Sequence, residues 1–192
     1  MDLNDEIAIA RKLRQAGRAC DKCEYKKATE LYKDVLRIEP DNLVALVSIS
    51  HCFLQLKMLK DAERHVRKAY EIRDDDDMVV VNYSCVLSYN GDIETAIKIL
   101  EEEIAYGSGN PIIYNNLGCF YSNLCDYEEA LYNYDFSIQL KEKNPLAYCN
   151  RGLLRYYKLK DKGGIADLIK ATEYGDLDAY VALQKIGNNK QS

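Results

Sequence analysis

Cys20 and Cys23 bracket two residues in the stretch CDKC, the spacing of half a zinc site or of a thioredoxin-like dithiol. Zinc needs a second ligand pair, and a thioredoxin motif follows a strand; the sequence supplies neither. His51 and His65 are the only histidines, and they fall on different helices at positions expected to face opposite sides. They make no Ser-His-Asp or Cys-His arrangement with their neighbours. Asp74 to Asp77 place four carboxylates in a row, without the alternating ligands and glycine of an EF-hand loop. Their place is a helix start, where acidic groups meet the positive end of the helix dipole. Gly107-Ser108-Gly109 lacks the rest of a phosphate-binding loop and reads as a helix stop and turn. No acid, base and nucleophile converge, so the sequence predicts a non-enzymatic protein without cofactor or metal.

A different set of polar residues recurs instead of converging. Asn82, Asn116 and Asn150 stand 34 residues apart. A helix surface disfavours asparagine, whose side chain competes with its own backbone for hydrogen bonds. Its amide, however, offers a donor and an acceptor together and can pair with both groups of a peptide backbone. That chemistry requires three helices presenting one position in one register.

The elements that would do so are written in the small residues. Ala28, Ala62, Ala96, Ala130 and Gly164 follow one another at intervals of 34. Twelve residues before each stands another small residue: Ala16, Ser50, Ser84, Gly118 and Gly152. Small residues at fixed places on successive helices let the backbones approach closely. Four residues after each alanine or glycine comes a larger apolar one: Tyr32, Val66, Leu100, Tyr134 and Leu168. Each unit therefore reads as two amphipathic helices joined by a turn such as NGD at Asn90 or LCD at Leu124. Asn110-Pro111 and Asn144-Pro145 place a capping asparagine before a proline at the first helical position. Asp126 and Glu129 resemble a capping box. No stretch shows the two-residue alternation of a half-buried strand.

This pattern resembles the tetratricopeptide repeat (TPR) family, whose units are about 34 residues long. The match is fullest in the fourth unit, at Tyr114, Leu117, Gly118, Tyr121, Tyr127, Ala130 and Tyr134. It is weakest in the first, where Lys12 and Gln15 replace apolar residues, and in the fifth, where Asp161 replaces an aromatic. The resemblance implies an all-α, right-handed α-solenoid of five helix-turn-helix units over residues 1–174. Their approximate bounds are 1–42, 43–76, 77–110, 111–144 and 145–174. A C-terminal capping helix and short tail over 175–192 follow, with Ala179, Val181, Leu183 and Ile186 as the covering face and a junction similar to Sel1-like repeats.

The resemblance also implies that first helices line a concave groove in which Asn82, Asn116 and Asn150 form a ladder holding an extended peptide by its main chain. Asn115 recurs in neither adjacent unit and would act in side-chain choice. Projecting the groove register adds Val81, Cys85, Ser88 and Tyr89, then Cys119, Ser122 and Asn123, then Cys149, Leu153, Tyr156 and Tyr157. None is charged, in a chain with 57 charged side chains. The expected ligand is an extended, largely uncharged peptide segment, and the expected role an adaptor or chaperone-like scaffold. Relatives that grip a chaperone's C-terminal carboxylate use lysines and arginines on first helices. Leu13, Gly17, Ser48, Met78 and Asn82 hold those registers here. The rival reading is self-assembly into homo-oligomers through Ile7, Ile9 and the terminal helix.

Bulk properties set the remaining bounds. The net charge of −5 argues against nucleic acid, which calls for a basic patch. The least charged run, Met78 to Gly91, is too short and polar for a membrane span, and the first fifteen residues mix charges where a signal peptide is apolar. Seven cysteines, an odd number, read as reduced thiols and a cytoplasmic location.

Overall fold

The computed structural model describes residues 2–188, and every regular element among them is helical. The helices are α1 (Leu3–Asp21), α2 (Tyr25–Ile38), α3 (Leu43–Gln55), α4 (Leu59–Ile72), α5 (Asp77–Tyr89) and α6 (Ile93–Ala105). They continue as α7 (Pro111–Asn123), α8 (Tyr127–Leu140), α9 (Pro145–Leu153), α10 (Gly164–Glu173) and α11 (Leu177–Asn188). A π-helical turn, Leu154–Lys158, extends α9. The tail after Asn188 lies outside the described residues. Contacts divide the chain into two compact units, residues 1–103 and 104–192.

In the first unit α1 packs on α2 and α3 on α4, and each hairpin packs on the next helix. Ala16 and Ala28, Ser50 and Ala62, Ser84 and Ala96 are all fully buried. The two serines satisfy their hydroxyls on main chain, Ser50 Oγ on the Ala62 carbonyl at 2.9 Å and Ser84 Oγ on that of Val81 at 2.8 Å. Tyr32, Val35, Ile49, Cys52, Val66 and Val86 join one core. The turns repeat as well. Cys23, Lys57 and Gly91 have φ of 58°, 59° and 89°, one left-handed residue closing each hairpin. Cys23 is thus a turn residue.

Asp76 caps α5, its carboxylate accepting from the Met78 and Val79 N–H groups at 2.9 and 3.2 Å. Glu103 is buried beside the same acidic run. Burial, then the hydrogen bond and charge of Asp77, raise its carboxyl above the ordinary 4.5. The native state therefore holds this proton more tightly than the unfolded chain. Its contribution is fully present below pH 4.5 and is lost as pH rises through the raised native value. Glu103→Gln should raise the urea midpoint at pH 7 and leave it unchanged at pH 4, in paired denaturation curves.

In the second unit α7 packs on α8, α9 on both α8 and α10, and α10 on α11. The glycines permit the closest approaches. A Cβ on Gly118 would lie 2.6 Å from the Tyr134 ring, and one on Gly164 would lie 2.5 Å from the Gly152 carbonyl oxygen. Pro111 and Pro145 open α7 and α9 behind Asn110 and Asn144, whose side chains accept from Ile112 N–H at 3.0 Å and Ala147 N–H at 3.3 Å. Asp126 likewise accepts from Glu129 N–H at 3.3 Å, the N-cap half of a capping box.

The last first-helix departs from the register. Left-handed residues at 23, 57, 91 and 125 predict one at 159, but it falls at Lys160. The π-helical turn contains an additional residue, and the turn before Gly164 is one shorter. Asp161, in the place of an aromatic, accepts from Arg155 at 2.7 Å and from Gly163 N–H at 2.8 Å. In α11 the buried stripe is Ala179, Ala182 and Ile186, while Val181 is 46% exposed. Of the expected covering face, Ala179 and Ile186 are buried and Leu183 packs against them; only position 181 lies off the stripe, which runs through Ala182 instead.

Candidate functional site

The groove residues of the second unit surround a cavity of about 350 Å³. Helix α7 supplies Cys119, Ser122 and Asn123, and α8 supplies Tyr134. Asn150 and Leu153 come from α9, and Leu154, Tyr157 and Lys158 from the π-helical turn. The added residue of that turn rotates Lys158 to the rim. The lining is neutral apart from this one ammonium.

A hydrogen-bonded cluster forms the floor. Asn150 Nδ2 donates to Asn115 Oδ1 at 3.0 Å and to Cys119 Sγ at 3.4 Å. Tyr134 donates its hydroxyl to the same sulfur at 3.4 Å. Burial pushes the Cys119 thiol and the Tyr134 hydroxyl upward, so both are neutral at pH 7. A protonated thiol is a poor nucleophile and a tolerable wall for apolar groups.

The structure brings together five of the ten expected residues here: Cys119, Asn123, Asn150, Leu153 and Tyr157. Asn116 is half-buried on α7, its oxygen 3.4 Å from Asn115 Nδ2. Asn115 itself is only 2% exposed. It does not reach the surface, where a role in side-chain choice had placed it; it holds α7 to α9. In the first unit Asn82 and Cys85 are half-buried on α5 and Tyr89 is 68% exposed. Asn82 Nδ2 donates to its own helix, to the Met78 carbonyl at 2.7 Å. Asn82 and Asn150 thus occupy one register but have unlike partners, the one on its own helix and the other on α7. Cys149, projected onto the groove, is buried, and burial followed by the Asp176 carboxylate pushes its thiol to about 12.

Sequence reading missed Leu154 and Lys158 in this lining because the π-helical turn breaks the register, and Tyr134 because its place four residues after Ala130 marks it as a hairpin-packing residue of α8. It also missed a series that was legible. Val44, Met78, Ile112 and Leu146 stand 34 apart, each the second residue of a first helix, and are 60%, 58%, 45% and 49% exposed. Val44 and Met78 border an apolar notch of about 180 Å³ in the first unit.

His65 bonds the Asp61 carbonyl at 2.7 Å and lies against Phe53, whereas His51 sits edge-on to Tyr25. Among the described residues, no group of three or more His, Cys, Asp or Glu is placed to hold a metal, and no helix is long and apolar enough to cross a membrane.

Five small-residue pairs at one spacing on successive helices define a helical-repeat fold. The chain folds as a tetratricopeptide-repeat protein. No protein-family model matches the sequence, and no curated relative matches it. Solved structures do. TTC0263, a thermophilic TPR protein in Thermus thermophilus, superposes with a TM-score of 0.82 at 17% identity, over 92% of this chain and 97% of that one. MamA from Desulfovibrio magneticus RS-1 superposes with a TM-score of 0.63 at 17% identity, over 87% and 94%. YrrB, described as a TPR protein with an unusual peptide-binding site, gives 0.56 at 17% identity, over 91% and 90%.

Proposed function

We propose that the chain is a non-enzymatic protein-interaction scaffold, adaptor or chaperone-like, that binds an extended, largely uncharged peptide segment. The carrying observation is the cavity of about 350 Å³ in the second unit, walled by two amides, a serine hydroxyl, a thiol, two leucines and two tyrosines, with one ammonium. Such a lining recognises backbone groups by hydrogen bonds and apolar side chains by burial. The ligand spans from Asn116 and Asn123 toward Tyr157, with Lys158 facing any carboxylate it carries. Asn82, Cys85 and Tyr89 offer a further neutral surface on α5 of the first unit. The YrrB likeness supports a peptide as ligand. The net charge of −5 speaks against nucleic acid, and the seven cysteines favour the cytoplasm.

The test must spare the floor. Asn150→Ala would leave the buried Asn115 oxygen without its donor, so loss of binding in that variant would be confounded by lost stability. Tyr157 and Asn123 are exposed. Peptides selected from a random library on the folded protein should bind Tyr157→Ala/Asn123→Ala at least about tenfold more weakly, by calorimetry, with the melting curve unchanged. Equal affinity for both proteins, or selection of strongly acidic peptides, would sink the reading.

The rival, self-assembly, draws on the outer face of α11, where Leu177 is 78% and Tyr180 50% exposed. Of the α1 residues assigned to it, Ile7 is 58% exposed but Ile9 is only 6% and belongs to the core. Periodicity explains this: position 9 shares the inward stripe with Ala16. Mass rising with concentration in light scattering, and not in Leu177→Asp, would favour this reading.

A further inference from the structure

The motif CDKC suggests that Cys20 belongs with Cys23, but the fold gives its sulfur a different neighbour. Cys20 Sγ lies 3.4 Å from Cys52 Sγ, 32 residues away on α3. Cys23, in its left-handed turn, has its sulfur 3.6 Å from the Tyr25 hydroxyl. Tyr32 closes the thiol pair from below, its hydroxyl 3.9 Å from Cys20 Sγ.

We propose that Cys20 and Cys52 are an oxidation site that closes to a disulfide joining α1 to α3 under a peroxide or a disulfide-exchange oxidant.

Three features favour it. Both cysteines sit in one packed cluster, so the sulfurs are held together by the surrounding core and not by chance rotamers of mobile chains. The gap must close by about 1.4 Å to reach a bond of about 2.05 Å, within the reach of small side-chain rotations. Access is also asymmetric: Cys20 is half-buried, whereas Cys52 is fully buried. Burial, followed by the nearby Cys20, pushes the Cys52 thiol to about 12. Cys20 therefore meets the oxidant first and Cys52 resolves it.

With hydrogen peroxide the steps balance. The Cys20 sulfur attacks one peroxide oxygen; an S–O bond forms, the O–O bond breaks, and the departing hydroxide leaves as water with the thiol proton. Cys52 Sγ then attacks the sulfenic sulfur; the S–S bond forms, the S–O bond breaks, and hydroxide leaves as a second water with the Cys52 proton. Two thiols are oxidised and one peroxide is reduced to two waters.

The experiment treats the folded full chain with hydrogen peroxide, alkylates remaining thiols, and maps peptides without reduction. The expected product is a Cys20–Cys52 peptide pair lighter by two hydrogens, restored by dithiothreitol. Because the link closes a loop of more than thirty residues, the oxidised protein should melt at least about 5 °C higher. Cys23→Ser should give the same link. Cys52→Ser should lose it and leave Cys20 as a sulfenic acid trapped by dimedone. A Cys20–Cys23 link in the wild type, or full alkylation of Cys20 and Cys52 after treatment, overturns the proposal. The wild-type map decides it even where a variant folds poorly.

Discussion

Asp167→Ala is expected to destabilise the second unit by about 3–5 kcal/mol, read as a lower urea midpoint. Its carboxylate is 7% exposed and takes both guanidinium groups of the last first-helix. Arg151 reaches it with two donors, at 2.6 and 3.0 Å, and Arg155 with one at 3.1 Å. Alanine would leave Arg151, itself 18% exposed, with a largely desolvated charge and only the outer carboxylate of Asp135. That loss, more than the net strength of the pair, sets the size of the effect. Asp135 is the internal control: it is 52% exposed, and Asp135→Ala should cost less than about 1 kcal/mol and lose even that in high salt. Equal effects from the two substitutions would show that burial does not govern this network.

Gly164→Ala should cost about 3 kcal/mol, although alanine is the better helix former. The added carbon would lie 2.5 Å from the Gly152 carbonyl oxygen and 2.8 Å from the Tyr156 nitrogen. Both are main-chain atoms, which cannot swing aside as a side chain can, so α9 and α10 must separate. Gly17→Ala on α1 supplies the opposite sign: nothing lies within 4 Å of the new carbon. The gain there should be about 0.5–1 kcal/mol from reduced unfolded-state freedom and better helix propensity. Thermal or urea unfolding of the two variants checks both. A Gly164→Ala protein as stable as wild type would mean that α9 and α10 do not approach as closely as the paired glycines indicate.

The spacing of 34 was legible in the sequence because its cause is local and steric. Wherever two helix backbones meet, only Ala, Ser or Gly fits, and ten positions show it. Caps were legible for the same reason, since Asn110, Asn144 and Asp126 bond N–H groups two or three residues on. Half the expected groove residues share one cavity because first-helix register follows from that repeat. Partner choice was not legible, because it joins residues far apart in sequence. Asn115 and Asn116 are neighbours of one type, yet one is buried against Asn150 across 35 residues and the other stays half-buried on α7. The added residue in the π-helical turn moved Lys158 onto the groove, and no local preference of LRYYK announces it. The pairing of Cys20 with Cys52 rather than Cys23 was likewise set by packing. Helical periodicity says which face a side chain occupies; what stands opposite that face depends on how α1 and α3, or α7 and α9, come together.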